Sequence, residues 1–248
     1  MSDSVALQTY LDRYFVQLDD LARLGGVSPA EVAALIAARA IPQPIYTIWP
    51  NGAFSSPIGG PHGAAPHGEP THWYSPAAAW WIRRSRGLSP VDASARFEAR
   101  FVADFVTRLP LEPQAPLGYA QVFATGRFDA AAAQASARAE WNDWIDGGYG
   151  VCLRYGDAHH AITKTCRRAA VLVMTDEGRR PELTPTERDA LLDVMEELEA
   201  VMLPFAPHQR PQGTPGLWLD AVLARYGLGT TRDAQQAVGQ AMPPRLCA

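Results

Sequence analysis

A hydroxyl, a proline and a carboxylate recur in one order at Ser28-Pro29-Ala30-Glu31, Ser89-Pro90-Val91-Asp92 and Thr184-Pro185-Thr186-Glu187. Each run sets a side-chain oxygen at the helix N-cap, where it accepts from a first-turn amide, and a proline at N1, where a missing N–H costs nothing. The acid then falls at N3, facing the positive end of the helix dipole. A chain punctuated this way is committed to helices. Apolar residues follow each start at helical spacing: Val32, Leu35 and Ile36; Phe97, Phe101 and Phe105; Leu191, Leu192, Met195 and Leu198. Ser75-Pro76 opens a fourth helix, without the acid, ahead of Trp80 and Trp81. Further helices are expected over about residues 4 to 15, near 18 to 24, ending near Asp146, once or twice between 149 and 177, and near 215 to 226.

The exception lies between residues 42 and 72. Pro42-Gln43-Pro44 stops a helix, Ile45 to Trp49 is β-branched and aromatic, Pro50-Asn51-Gly52 is a turn, and Ala53-Phe54-Ser55 returns as a second strand. Gly59 to Pro70 is so rich in Gly and Pro that a long mobile loop is expected there. A punctuated stretch from Leu109 to Pro116 is the best candidate boundary. The organisation expected is therefore a module over 1–112, a helical domain over 113–228 and a flexible tail over 229–248. The fold class is mainly α, with an N-terminal winged helix-turn-helix-like module and a small β-hairpin packed on a C-terminal helical domain.

Of 248 residues, 47% are hydrophobic and 19% charged, enough apolar material for a core and too little charge for disorder. A net charge of -4 and a pI near 5.9 weigh against a protein that works by neutralising phosphates, so DNA is not an expected partner. No apolar run reaches the ~18 residues of a membrane span, and Met1-Ser2-Asp3-Ser4 lacks the basic start of a secretory signal. A cytoplasmic protein without a membrane partner is expected. Cys152, Cys166 and Cys247 form no CxxC pair, which suits a reducing compartment. Dinucleotide, P-loop, nucleophile-elbow and HExxH signatures are all missing.

Residues 18 to 40 read as helix, Gly25-Gly26 turn and capped second helix, followed by the hairpin and by a helix beginning after Tyr74. That order resembles the winged helix-turn-helix of the MerR regulators. The helix that would enter a major groove, Pro29 to Arg39, offers alanines where base edges call for Arg, Lys, Asn or Gln. Arg83-Arg84-Ser85-Arg86 is the one basic cluster, and its place in a last helical turn already suits the dipole.

All basic residues but one, of 22, are arginine; the exception is Lys164. An amine can lose its proton when desolvated and a guanidinium cannot, so Lys164 is either a functional amine or a lysine on a solvated helix face. The segment Glu140-Trp141-Asn142-Asp143-Trp144-Ile145-Asp146-Gly147-Gly148-Tyr149-Gly150-Val151-Cys152 precedes it, with a helix end and a tight glycine turn. Lys164, Asp146, Tyr149 and Cys152 are the candidate catalytic residues, with Asp143 alongside. Trp141, Trp144 and His160 are the candidate ligand contacts, although two tryptophans three apart on a helix also suit a core. His62, His67 and His72, with Glu69, are spaced His-x4-His-x4-His, which matches no zinc signature, and no metal site is assigned. The cofactor, if any, is not legible.

Ile41-Pro42-Gln43-Pro44-Ile45-Tyr46-Thr47, Trp81-Ile82-Arg83-Arg84, the Trp-x3-Ile-Asp-Gly-Gly-Tyr-Gly-Val-Cys run, Lys164, the Thr175-Asp176 turn and Pro204-Phe205-Ala206-Pro207 occur in a particular order. In that order they resemble the natural-product biosynthesis proteins of domain-of-unknown-function family 6058, from about residue 10 to 227. The chain departs from that pattern at Gln212-Gly213-Thr214-Pro215-Gly216, where a Ser-Ser-Arg-like element is expected. The resemblance implies a role in bacterial secondary metabolism. The expected function is a pathway protein that binds an organic intermediate or a partner enzyme and works through Lys164. The alternative is a MerR-like regulator whose C-terminal helices sense a ligand.

Overall fold

The computed structural model describes residues 3–228; Met1, Ser2 and the tail from Gly229, with Cys247 and the flexibility expected of that tail, lie outside the described residues. Helices α1 (Asp3–Tyr14), α2 (Leu18–Gly25) and α3 (Pro29–Ala37) lead into strands β1 (Tyr46–Ile48), β2 (Phe54–Ser56), β3 (Gly60–His62) and β4 (Thr71–Trp73). Then follow α4 (Ala78–Arg84), α5 (Pro90–Arg108), α6 (Ala115–Gly118), α7 (Ala130–Ile145) and α8 (Gly148–Cys152). The last helices are α9 (Ala158–Thr175), α10 (Pro185–Val201) and α11 (Ala221–Tyr226), the last continuing a π-helical segment at Gly216–Asp220. Among the described residues the chain is thus mainly helical with one small antiparallel sheet. None of the described helices is long and apolar enough to cross a membrane.

The three capped starts form as the sequence dictates. Ser28 Oγ accepts from the Glu31 amide while the Glu31 carboxylate accepts from the Ser28 amide at 2.8 Å. Thr184 and Glu187 repeat that reciprocal pair, and Ser89 Oγ accepts from the Asp92 amide at 3.1 Å. The fourth start comes later than Ser75-Pro76 implies. There Ser75 to Ala77 makes a turn, and the cap falls to Ala77, which has no side chain to bond with.

The hairpin pairs Thr47 with Ser55, as its turn residues require, but it is only the middle of a four-stranded sheet ordered β3-β2-β1-β4. The stretch expected to be a mobile loop contributes β3, whose Ser55↔Pro61 pairing sits on the outer edge. An edge strand tolerates the N–H that proline lacks, and Phe54 stacks on His62 with ring centroids 4.7 Å apart. Asn51 Nδ2 donates to the Ala65 carbonyl at 2.8 Å and ties down the following residues.

The main core runs from Leu21, Val32 and Ile41 through Trp81, Phe97, Phe101 and Phe105 to Trp141, Trp144, Cys166 and Phe205. Phe97, Trp81, Trp141 and Phe101 meet in that order with centroids 5.0 to 5.4 Å apart along this line. Burying each such ring stabilises the fold by about 1.5–3 kcal/mol before entropy is charged against it. A second core joins α9, α10 and α11 through Val171, Leu191, Met195, Leu198 and Leu223. A third packs Leu7, Tyr10, Leu11 and Phe15 of the N-terminal region against Ile45, Tyr46, Trp73, Val151 and Ala206. This last cluster brings the sheet up against α8, so closely that a Cβ on Gly150 would stand 2.1 Å from Ile45 Cδ1.

Candidate functional site

Three helices converge on Lys164. Asp129 caps α7 by accepting from the Ala131 and Ala132 amides, and the buried stripe of that helix runs Ala133, Ala137, Glu140, Trp141 and Trp144. The chain leaves α7 through Gly147 at φ 85°, where a Cβ would also lie 3.0 Å from Pro57 Cγ, so glycine is required twice over. That reversal starts α8 and carries Tyr149 and Cys152 back beside Glu140. Asp157 then caps α9 by accepting from the His160 amide at 2.9 Å, and the next two turns bring Lys164 onto the same spot.

Lys164 Nζ donates to Cys152 Sγ at 2.9 Å and lies 4.7 Å from the centre of the Tyr149 ring. The Tyr149 hydroxyl donates to Glu140 Oε2, and the Tyr119 hydroxyl donates to Glu140 Oε1 at 2.7 Å. Cys152 and Glu140 are buried, whereas Lys164 and Tyr149 are half-buried, so the network opens to solvent at its amine end. Burial pushes the Glu140 carboxyl up to about 7, even though the Tyr119 hydrogen bond and the Lys164 charge favour its ionised form. Burial likewise raises Asp143 from its ordinary value, with Lys164 opposing and Asp146 adding to the rise. Burial lifts the Tyr119 hydroxyl far above its ordinary value, aided by the Glu140 charge, which keeps it a donor. An amine, a thiol and a carboxyl that titrates near neutrality therefore share one partly dry site, the composition that proton-transfer chemistry needs.

A family model described as a family of unknown function (DUF6058) matches residues 93–227. The chain belongs to that family. Its matched segment contains Tyr119, Glu140, Asp143, Tyr149, Cys152 and Lys164, and it starts well after residue 10. No curated protein and no solved structure matches the chain.

Of the residues singled out in the sequence, Lys164, Cys152 and Tyr149 come together. Asp146 faces solvent and pairs with Arg39, Nη1 to Oδ1 at 2.7 Å. Trp141 is held by Trp81 and Phe101 in the main core, and Trp144 is wholly buried against Gly156. His160 Nδ1 lies 2.8 Å from Asp157 Oδ1 and its ring meets Tyr155, in the first turn of α9 and one turn before Lys164. Burial would raise Asp157, but the hydrogen bond from His160 and the His160 charge hold it low. Cys166 is buried against α6, and burial pushes its thiol up to about 12, which suits a structural role.

The loop histidines do not converge. His62 on β3 and His72 on β4 occupy opposite edges of the sheet, three strand spacings or roughly 14 Å apart. His72 Nδ1 lies 3.1 Å from Thr47 Oγ1, and His67 is exposed. Among the described residues no group of His, Cys, Asp and Glu is placed to hold a metal ion. Glu140 is the residue of this network that sequence reasoning passed over. Its signal was helical phase: it stands three residues after Ala137 and four before Trp144, on a stripe otherwise filled by Ala and Trp.

Proposed function

We propose that this chain binds an organic intermediate of bacterial secondary metabolism, or the enzyme that carries one, and acts on it through Lys164. The observation that carries the reading is the 2.9 Å approach of Lys164 Nζ to Cys152 Sγ at the open end of a network whose acid, Glu140, titrates at about 7. The substrate feature that suits this set is a carbonyl carbon. The neutral amine nitrogen adds to that carbon, and the carbonyl oxygen leaves as water. Glu140 stands behind the Tyr149 ring on which the amine rests and supplies a nearby proton reservoir for water to draw on, since a carboxyl near neutrality serves as acid or base at the working pH.

The uniqueness of Lys164 makes the test clean, because the α-amine is the one other alkyl amine in the chain. The full chain is treated with butanal and borohydride, and adducts are mapped by peptide mass. Reduction should trap an adduct at Lys164 faster than on Nα-acetyl-lysine under the same conditions, and Lys164→Arg should abolish it. Trapping no faster than on the free amino acid refutes an activated amine. Native mass spectrometry of freshly purified protein adds a direct search for a retained metabolite.

A second reading, a MerR-like regulator, is favoured by the order α2, Gly26 turn, α3, sheet and α4. It ranks second because α3, with the sequence PAEVAALIA, brings neither Lys nor Arg to base edges. An electrophoretic shift at low salt separates the two. Tight, sequence-specific duplex binding would replace the first reading.

A further inference from the structure

The end of α4, the turn after it and the middle of α5 border a surface cavity of about 410 Å³ lined by Leu88, Phe97 and the exposed Arg84, Arg86, Arg96 and Arg100. Four of those six residues are cations and none is an acid. The positive charge is concentrated although the chain as a whole carries -4. Nearby acids do little to offset it. Asp104 reaches only Arg100, at 3.8 Å, and among the described residues Arg96 has no ion pair. Arg86 donates to the Gly25 carbonyl at 3.3 Å and Arg84 to the Trp80 carbonyl at 3.2 Å, bonds that fix the guanidinium groups without neutralising them.

The guanidinium groups are crowded together. The Arg84 guanidinium carbon lies 3.4 Å from the centre of the Trp80 ring and that of Arg100 lies 5.3 Å from the same centre, so two cations share one indole. Burial, then Arg100 and Arg83, lower the proton affinity of Arg84. Like charges gathered around a concavity repel one another until an anion enters. Planar guanidinium forks match the oxygens of a phosphate, while buried Phe97 and half-buried Leu88 add an apolar wall. The volume falls in the range of small-molecule sites and exceeds what a bare ion needs.

We propose that this cavity is a binding site for a phosphorylated small molecule, its phosphate held by Arg84, Arg96 and Arg100 and an apolar portion resting on Leu88 and Phe97. The site shares no residue with the Lys164 network and stands or falls apart from it.

The probes are phenyl phosphate and inorganic phosphate, titrated calorimetrically into the full chain at low salt. Phenyl phosphate should bind with a Kd below about 1 mM, several-fold tighter than inorganic phosphate. Arg96→Gln and Arg100→Gln should each weaken it about tenfold, the cost of a lost charge-assisted hydrogen bond, and Arg127→Gln, an exposed arginine outside the cavity, should leave it unchanged. No phenyl phosphate binding at 10 mM overturns the proposal, as does binding that both cavity variants leave unaltered. Equal affinity for the two probes removes the organic ligand, and duplex DNA binding that depends on the same arginines without phenyl phosphate binding reassigns the patch to nucleic acid. Should the variants melt early, the two wild-type titrations still decide.

Discussion

Replacing Glu140 by Gln should make the protein more stable at pH 8, although the side chain is buried and accepts two tyrosine hydroxyls. The carboxyl sits at about 7 in the folded chain against an ordinary 4.5. A raised folded value means that the native state binds the proton more tightly than the unfolded chain. The stabilisation it brings is fully present below pH 4.5 and is lost as pH rises through 7. Two and a half pH units at about 1.36 kcal/mol each amount to about 3 kcal/mol. Glutamine has the same shape and no charge to desolvate. One of the Tyr119 and Tyr149 hydroxyls keeps an oxygen acceptor, and the other can turn to accept from the new amide. Urea unfolding of both proteins between pH 4.5 and 8 isolates the effect, because the remaining titrating groups are common to the pair. The wild type should lose about 3 kcal/mol relative to the variant across that window, roughly 6–12 °C in Tm for a chain of this length. Parallel pH profiles would show that Glu140 does not titrate there, and the proton reservoir invoked for Lys164 would go with it.

Ser89→Ala removes the oxygen that accepts from the Asp92 amide and should cost about 1 kcal/mol in urea unfolding, with little change in fold by circular dichroism. A cost near zero would mean that water caps α5 equally well. Gly156→Ala is expected to be far worse, since a Cβ there would stand 2.1 Å from Trp144 Cε2 and the indole is wholly buried. Overpacking of this kind costs about 1–3 kcal/mol or more, and near-ultraviolet circular dichroism should report the displaced tryptophan; an unchanged spectrum and melt would contradict the packing described.

Local chemistry was legible wherever it was self-contained. The caps at Ser28, Ser89 and Thr184 form their bonds within four residues, and nothing distant alters them. The hairpin turn at Asn51-Gly52 belongs to the same class. What sequence could not supply was pairing set at a distance. Gly60 to His62 has no strand signal of its own and is extended because Phe54 and Ser56 present an open edge to it. In the candidate site, Lys164, Tyr149 and Cys152 stood out by residue type and come together, whereas Asp146, picked for its place at a helix end, is drawn to Arg39 instead. That contact joins residues 107 apart in the chain, and no local pattern announces it. Glu140 was hidden for the opposite reason. Acids on helices are ordinarily solvated, and only the phase of its neighbours gave it away.

The third core has a consequence for how the molecule is held together. Val151 and Ala206 belong to the family segment, while Leu7, Tyr10, Leu11, Phe15, Ile45, Tyr46 and Trp73 all precede residue 93. Val151 stands directly before Cys152, the sulfur that receives the Lys164 hydrogen bond. The first helix and the sheet thus act as a clamp on the corner that holds Cys152. A change that loosens the grip of Tyr46 would be felt in the family segment at Val151 and Ala206 and, through its hydroxyl, at Gln209, which makes the upstream third of the chain a brace for the corner that presents Cys152.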